Sequence, residues 1–317
     1  MTTSRKFNIE WQDRNITTWM NEGMGESIEG DASLIYNKVA NIRTLNRPED
    51  LIATFYGGGF YKRHGEWQKA DVYEPGLGWK IKVFPYIYKN GFQVPDAMLE
   101  FETNGYVATQ SRILGAYATQ TIDNLWVNIL NNGFDTNFPV YDGKPLFSTT
   151  HPLKGTGGVF ANTPQTGSDL DANSLMEGMQ YFLNMKSDDG MEFSMTPRFL
   201  IVHTSKFYQT QLMLGTPTAL GQANPAIPSP LSVTPAGGLV VLTSAKLTDP
   251  NAWFLLADRS EIAGMGHGLD LWFTPAGRPR VKTYRLEDPD GYKYVGAFRA
   301  GTAVTKIRGV YGNPGTT

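Results

Sequence analysis

Asp142, Ser148 and His151 lie close together in YDGKPLFSTTHPL (141–153), and their side chains suit nucleophilic hydrolysis. A hydroxyl, an imidazole base and a carboxylate that orients it form a triad when a fold aligns them. The surrounding sequence argues for a structural role. Ser148 is not framed by the strand, Gly-x-Ser-x-Gly and helix that expose a nucleophilic serine. Asp142-Gly143 is a turn dipeptide, and His151 is suited to bond loop carbonyls. Asp142, Gly143 and His151 are therefore read as a structural turn, and no residue is assigned as catalytic. The run Gly264-Met265-Gly266-His267-Gly268 has phosphate-loop composition but leads into a strand rather than a helix. It reads as a tight bend where one backbone passes close to another. His64, His151, His203 and His267 are isolated, Cys is absent, and Glu287, Asp288 and Asp290 lack calcium-loop spacing. No metal or cofactor is expected. Lys62, Lys69, Lys80 and Lys82 lie on an extended segment. They suit either crosslinking or the protection of an exposed strand edge from wrong pairing.

Composition narrows the class further. The chain has 317 residues, enough for one or two domains. Charged residues make up 18%, below the roughly 25% of an average soluble protein, while aromatics reach 12%. Such a balance fits a large aromatic core or a surface that faces other proteins. With 34 Gly and 19 Pro, turns are frequent and helix should not dominate. The net charge is −2, and the longest basic runs are pairs such as Arg5-Lys6 and Lys62-Arg63, so dedicated nucleic-acid binding is not expected. No apolar run approaches a membrane span, and MTTSRKFNIEW lacks a signal-peptide core, so a chain that stays in the cytoplasm, or is released from it by something other than secretion, is expected.

The elements that must position these residues follow from periodicity. Residues 1–50 are polar, with scattered anchors including Trp11 and Trp19, too few to fold alone; the arm needs something to hold it, a neighbouring subunit being one candidate. Residues 51–93 read as a long β-hairpin, with Gly57–Gly59 as a flexible entry, a turn near Pro75, and Asn90-Gly91 as a hairpin turn. Trp67, Tyr73, Trp79, Phe84 and Tyr86 are its large side chains. Apolar steps of three and four from Tyr106 to Leu130 predict one long helix over 104–132, with Asp123 among the residues of its polar face. Asn132-Gly133 is expected to stop that helix with Gly133 at positive φ. A second helix near 171–186, a strand at 198–203, a proline-rich loop over 215–237, and strands at 239–242, 253–257, 269–273, 280–286, 292–299 and 302–309 complete the chain.

This layout resembles the major capsid proteins of tailed phages with the Hong Kong 97 fold, and most of all the Mu-like major head subunit family. The residues that carry the likeness are WVNILNNG (126–133), YDGKPLFSTTHPL (141–153), LMEGMQYFLNMKSDDGMEFSMTPRFLIVHTSKF (175–207), AWFLLAD (252–258) and YKYVGAFRAGTAVTKIRGVYGN (292–313). The resemblance implies an α+β fold with an N-terminal arm (1–50), an extended hairpin loop (51–93), a peripheral domain (94–168 and 280–317) and an axial domain (169–279). It implies a homo-oligomer of hexamers and pentamers closing into an icosahedral shell around double-stranded DNA, held without sequence-specific contacts. Expected partners are a portal, a decoration protein and a separate scaffolding protein, since about 50 residues before the hairpin are too few for a fused scaffold. Assembly is expected in the host bacterial cytoplasm, without a membrane. Trp11, Trp19, Trp67, Tyr73, Trp79, Phe84 and Tyr86 are the expected intersubunit contacts. The competing readings are a hydrolase with a site near Asp142 and His151, and another virion part such as a tail component.

Overall fold

The computed structural model describes residues 2–31, 34–47, 49–56, 63–64, 66–72, 74, 76–100, 105–155, 157–187, 190, 192, 194–215, 238–259, 266–274, 280–287 and 290–316. In chain order, α1 (Thr2–Gly30) and α2 (Tyr36–Val39) lead into β1 (Asn41–Thr44). Next come β2 (Asp50–Tyr56), β3 (Gly76–Val83), β4 (Tyr86–Pro95), α3 (Asp96–Glu100) and α4 (Tyr106–Asn131). The strands β5 (His151–Pro152) and β6 (Val159–Phe160) precede α5 (Ala172–Leu183), β7 (Pro197–His203) and α6 (Phe207–Gly215). The chain ends with β8 (Val240–Ser244), β9 (Trp253–Ala257), β10 (Leu269–Phe273), β11 (Arg280–Glu287), β12 (Asp290–Val304) and β13 (Val310–Asn313).

The expected spine is α4, about 39 Å long at 1.5 Å per residue. It is buried on two faces. Leu114, Ala118, Ile122, Trp126 and Leu130 form the apolar stripe read from the sequence, and Ser111, Gly115, Thr119 and Asp123 form a second stripe of small and polar residues. Against the spine lies α1. A Cβ at Gly115 would strike the Met20 backbone, and one at Gly23 the Arg112 backbone, so the two helices meet main chain to main chain. Ile16 and Met20 are buried, and Glu22 pairs with Arg112 at 3.1 Å. From Ile16 onward the N-terminal arm is thus a helix held by its own spine, which is one answer to what holds it. Ile16 and Met20, spaced i,i+4, give one apolar ridge, and the small-residue stripe supplies the groove for it.

Two sheets pack on the spine. The four-stranded sheet runs β13-β9-β7-β8, and the five-stranded sheet runs β1-β10-β12-β11 with β4 also paired to β12. Phe254 and Leu256 of β9 join Ile122, Trp126 and Leu130 in the largest core, while Trp253, Leu255 and Ala257 join Leu175 and Phe182 of α5. Both faces of β9 are covered, which explains its unbroken apolar run. Leu269, Leu271 and Ala300 bring the five-stranded sheet into the same core as Trp126. Strand pairing crosses the expected domain limits: β10 belongs to the five-stranded sheet and β13 to the four-stranded one.

Two turn expectations are overturned. Asn90-Gly91 is not a hairpin tip; β4 runs straight through it, with Asn90 opposite Gly296 and Gly91 opposite Val295. Ten consecutive pairs with β12 outweigh a two-residue turn preference, and Gly91 is glycine because a Cβ there would strike the Tyr294 carbonyl. The hairpin is instead β2 with β3, in register from Asp50↔Val83 to Tyr56↔Gly76. Gly133 is not among the glycines at positive φ. The helix ends on Asn132, at φ −91 and ψ 5, whose N–H donates to the Asn128 carbonyl, while the Gly133 N–H donates to the Leu130 carbonyl. Gly133 is required for packing, since a Cβ would lie 2.6 Å from the Phe147 ring. The sequence expectations for Gly57–Gly59, Tyr73, Pro75, the 216–237 part of the proline-rich loop, Gly264, Met265 and Asp288 lie outside the described residues.

Asp123, assigned to the polar face, is fully buried. It accepts the N–H groups of Ile35 and Tyr36 at 2.9 Å each and pairs with the Lys246 ammonium at 2.6 Å. Stripping one partner from a buried ion pair strands the other's charge or polar groups. Asp123→Ala is expected to destabilise the chain by about 3 kcal/mol or more in urea unfolding. Asp123→Asn, which keeps an acceptor for both N–H groups, should cost less. Burial also pushes His267 down to about 4, the Val39 backbone and Asp258 opposing the shift and Arg259 and Lys306 adding to it. The folded chain therefore refuses a proton that the unfolded chain takes up. This contribution is complete above about pH 6.5 and lost as pH falls towards about 4, at most about 3 kcal/mol. His267→Gln should flatten the pH dependence of unfolding in that window.

Candidate functional site

The residues with chemical potential form a closed knot. The Asp142-Gly143 turn, with Gly143 at φ 79, is closed by the Gly143 N–H donating to the Val140 carbonyl at 3.0 Å. His151 Nδ1 lies 2.6 Å from Asp142 Oδ2, and both side chains are sealed from solvent. The other ring nitrogen, Nε2, lies 3.1 Å from the Leu146 carbonyl, and the imidazole stacks on Phe160 at 5.0 Å. Both nitrogens therefore face acceptors within the loop. Ser148 Oγ accepts the Thr150 N–H at 3.2 Å and has no hydrogen bond to His151. Ser148 and His151 therefore form no nucleophile–base pair. Asn162, not singled out in the sequence, is a second hub. It accepts the Ser148 N–H at 2.9 Å, donates to the Leu146 carbonyl at 2.7 Å, and receives the Gly312 N–H of β13 on its own carbonyl at 3.1 Å. No local signal marks it, because its partners lie on separate stretches of chain. Among the described residues no group of three or more His, Asp or Glu is placed to hold a metal, and no helix is long and apolar enough to cross a membrane.

The intersubunit candidates divide into two sets. Trp19 is half-buried on its own subunit against the cluster of Ile16, Val94, Leu99, Val107 and Tyr294. Trp79 packs near Tyr141 at 6.1 Å, with the Lys154 ammonium 4.1 Å from its ring centre. These two rings find partners at home. The side chain of Trp11 and all of Tyr73 lie outside the described residues. The hairpin and its base expose the rest. Trp67 is 98% exposed, Phe55 68% and Tyr86 67%; Leu51, Val72, Leu77 and Phe84 are also exposed. Among the described residues the hairpin is anchored by Trp79 and at its root, where Val83 packs with Leu45 and Trp272 and Ile52 lies against them. Beneath that root opens a groove of 680 Å³ lined by Lys80, Lys82, Asn128, Asn132, Phe138 and Tyr141.

Residues 81–313 match the family described as phage capsid protein. The chain belongs to the phage capsid protein family. This capsid protein is a major capsid protein of the virion, and it forms the head shell. A comparison with curated proteins finds no match. Among solved structures, the capsid of an empty GTA particle is similar at 10% identity and TM-score 0.55, over 90% of this chain and 91% of that one. A virus-like particle from Pyrococcus furiosus is similar at 12% identity and TM-score 0.53, over 95% and 98%. The capsid of Ralstonia phage GP4 is similar at 13% identity and TM-score 0.55, over 88% and 87%. At such identities the likeness concerns the fold, and the capsid protein has the Hong Kong 97 fold that the resemblance implied.

The knot's role in the capsid protein can be separated from catalysis. His151→Ala leaves the Asp142 carboxylate buried without its imidazole, and a loss of about 3 kcal/mol is expected in denaturant unfolding. Asp142→Ala should cost a similar amount, and the double variant less than the sum, as for any directly coupled pair. Ester or peptide hydrolysis by the native chain that disappears in either variant would contradict the structural assignment.

Proposed function

We propose that the chain assembles as hexamers and pentamers into the closed icosahedral head shell of a tailed bacteriophage, enclosing double-stranded DNA. The observation that carries this reading is the exposure of Trp67 at 98% on a hairpin whose subunit body is otherwise well packed. A two-stranded hairpin is marginal in water without a further surface to pack on. Each large side chain buried against a neighbour contributes about 1.5–3 kcal/mol. In a shell every subunit offers its hairpin to a different patch of the next, a heterologous contact that ring symmetry closes. The protein acts without catalysis. It works with a separate scaffolding protein, a portal and a decoration protein, and is assembled in the host bacterial cytoplasm. Trp67, Tyr73, Phe84 and Tyr86 serve as intersubunit contacts from the hairpin and its base, and Trp11 from the arm. The likeness to the Mu-like head subunits belongs to this reading.

The test removes the projecting part and spares the root. Phe55 and Leu77 already face each other across the ladder, so residues 56–76 can be replaced by a short Gly-Ser link. A longer cut into Tyr86–Tyr88 would break pairs with β12 and damage the body itself. The shortened chain is expected to fold and melt cooperatively as a monomer and to form no closed shells by electron microscopy when combined with its scaffold. Normal shells from the shortened chain would contradict the reading.

A further inference from the structure

Cations brought from three separate stretches of sequence share one face of the five-stranded sheet. Along β12, Tyr294 is buried toward the spine, while Lys293 and Arg299 point to the opposite side and are exposed. The pairing register places Lys89 and Arg280 on either side of Ala297, Lys282 and Gly91 on either side of Val295, and Tyr284 and Gln93 beside Lys293. Arg280, Lys282, Lys89, Lys293 and Arg299 are all exposed. Across β4, β11 and the stretch of β12 that they pair with, the positions that share their side are Ile87, Gly91, Gln93, Pro95, Tyr284, Leu286, Gly291, Val295 and Ala297, with no carboxylate among them. Further along β12 the same side carries Asp270 of β10, opposite Ala303, which is buried and paired with Arg43 at 2.8 Å. Among the described residues none of the five cations forms an ion pair with a carboxylate. At about 3.3 Å per residue, Lys293 and Arg299 stand about 20 Å apart, and strands about 4.8 Å apart set Lys89 and Arg280 about 10 Å from one another.

We propose that this face holds the phosphate backbone of duplex DNA. The inference rests on the shell reading above, in which one surface of every subunit looks onto packaged DNA. The chemistry of the face favours DNA over an acidic protein. Protein interfaces are anchored by buried aromatic or aliphatic side chains at their centre. Here the floor is Gly91, Val295 and Ala297, and Ile87 and Tyr284 are the sole exposed large apolar residues on these strand positions. Phosphates need only reach and charge, which Lys and Arg on a sheet face provide. With no helix or ribbon projecting from it to enter a groove, the face reads no base edges, so binding is independent of sequence. The net charge of −2 conceals this, because Lys89 is some 190 residues from Arg280 in the chain and no local run is basic.

The test uses the unassembled 317-residue chain and two unrelated duplexes of about 20 base pairs, titrated by fluorescence anisotropy across a salt series. With about −0.9 of slope per neutralised phosphate, five contacts give a log–log salt slope of about −4.5, a loss of about 500-fold between about 50 and about 200 mM salt. The variant Lys89→Gln, Lys282→Gln and Lys293→Gln is expected to reduce that loss to about tenfold. Because the three lysines are exposed, its melting curve should match the native one. Arg63→Gln with Lys69→Gln on the hairpin should leave the slope as it is. Equal binding of both duplexes with the reduced slope supports the assignment. An unchanged slope in the triple variant, absence of duplex binding, or tighter binding of polyglutamate than of duplex at equal charge would overturn it. Electron microscopy of the native chain with its scaffold reads the other link. Shells without duplex binding sink the face alone, whereas duplex binding without shells sinks the shell reading and the packaged-DNA assignment with it.

Discussion

A single carboxylate in the middle of the spine helix fixes the relation between the parts of this subunit. Asp123 has no access to solvent, and it is satisfied from three directions: two backbone N–H groups at the start of α2 and the ammonium of Lys246 between β8 and β9. A charge taken out of water is tolerated only when its partners are held in place. Here those partners are the segment that joins α1 to β1, the spine, and the turn that enters the four-stranded sheet. One helical turn further on, Trp126 donates its indole N–H to the Leu269 carbonyl and brings in the five-stranded sheet. At the helix end, Asn131 donates to the Lys246 carbonyl and accepts the Thr248 N–H, holding the same turn a second time. The packing of α1 on its own spine follows from this arrangement, because the chain leaving α1 is tied to the helix on which α1 lies.

The interior tied together in this way has little left to gain. Trp126, Trp253, Tyr294 and Phe254 are fully buried, and the Asp142, His151 and Asn162 knot meets its hydrogen-bonding needs internally. The hairpin is the opposite case: a paired backbone with large side chains in water. A rigid body and a projecting arm serve a shell well. In the shell proposed above, each modest arm contact is multiplied around a closed ring, where multivalency makes the whole stronger than any pair.

Much of this was legible in the sequence wherever one local pattern decided the outcome. The spine, the strand RFLIVH and the run WFLLA carried their periods plainly, and the Asp142-Gly143 turn carried its dipeptide. What failed had competitors that local reading does not weigh. Asn90-Gly91 has the residues of a tight turn, but ten pairs with a strand two hundred residues away hold it extended. Gly133 has the type of a helix stop, yet its φ is not positive and the ring of Phe147 is the reason for glycine. Asp123 lies off the apolar stripe, among the polar residues of its helix, where exposure is the usual outcome. Its burial depends on α2 and Lys246, which arrive from outside the helix. The stripe Ser111, Gly115, Thr119 was the available sign that a second helix lies there. The cationic sheet face had no sign at all, since register alone assembles it.

The central claim is that the body is complete in the free subunit and the hairpin is completed by its neighbours. Hydrogen exchange followed by mass spectrometry, on unassembled subunits and on shells of the same chain, tests it most directly. We expect residues 114–130 of the spine and the strands β7 and β9 to be strongly protected in both forms. We expect residues 63–72 to exchange freely in the subunit and to gain protection in the shell. A hairpin already protected in the free subunit, or one that exchanges as freely in the shell as outside it, would contradict the account.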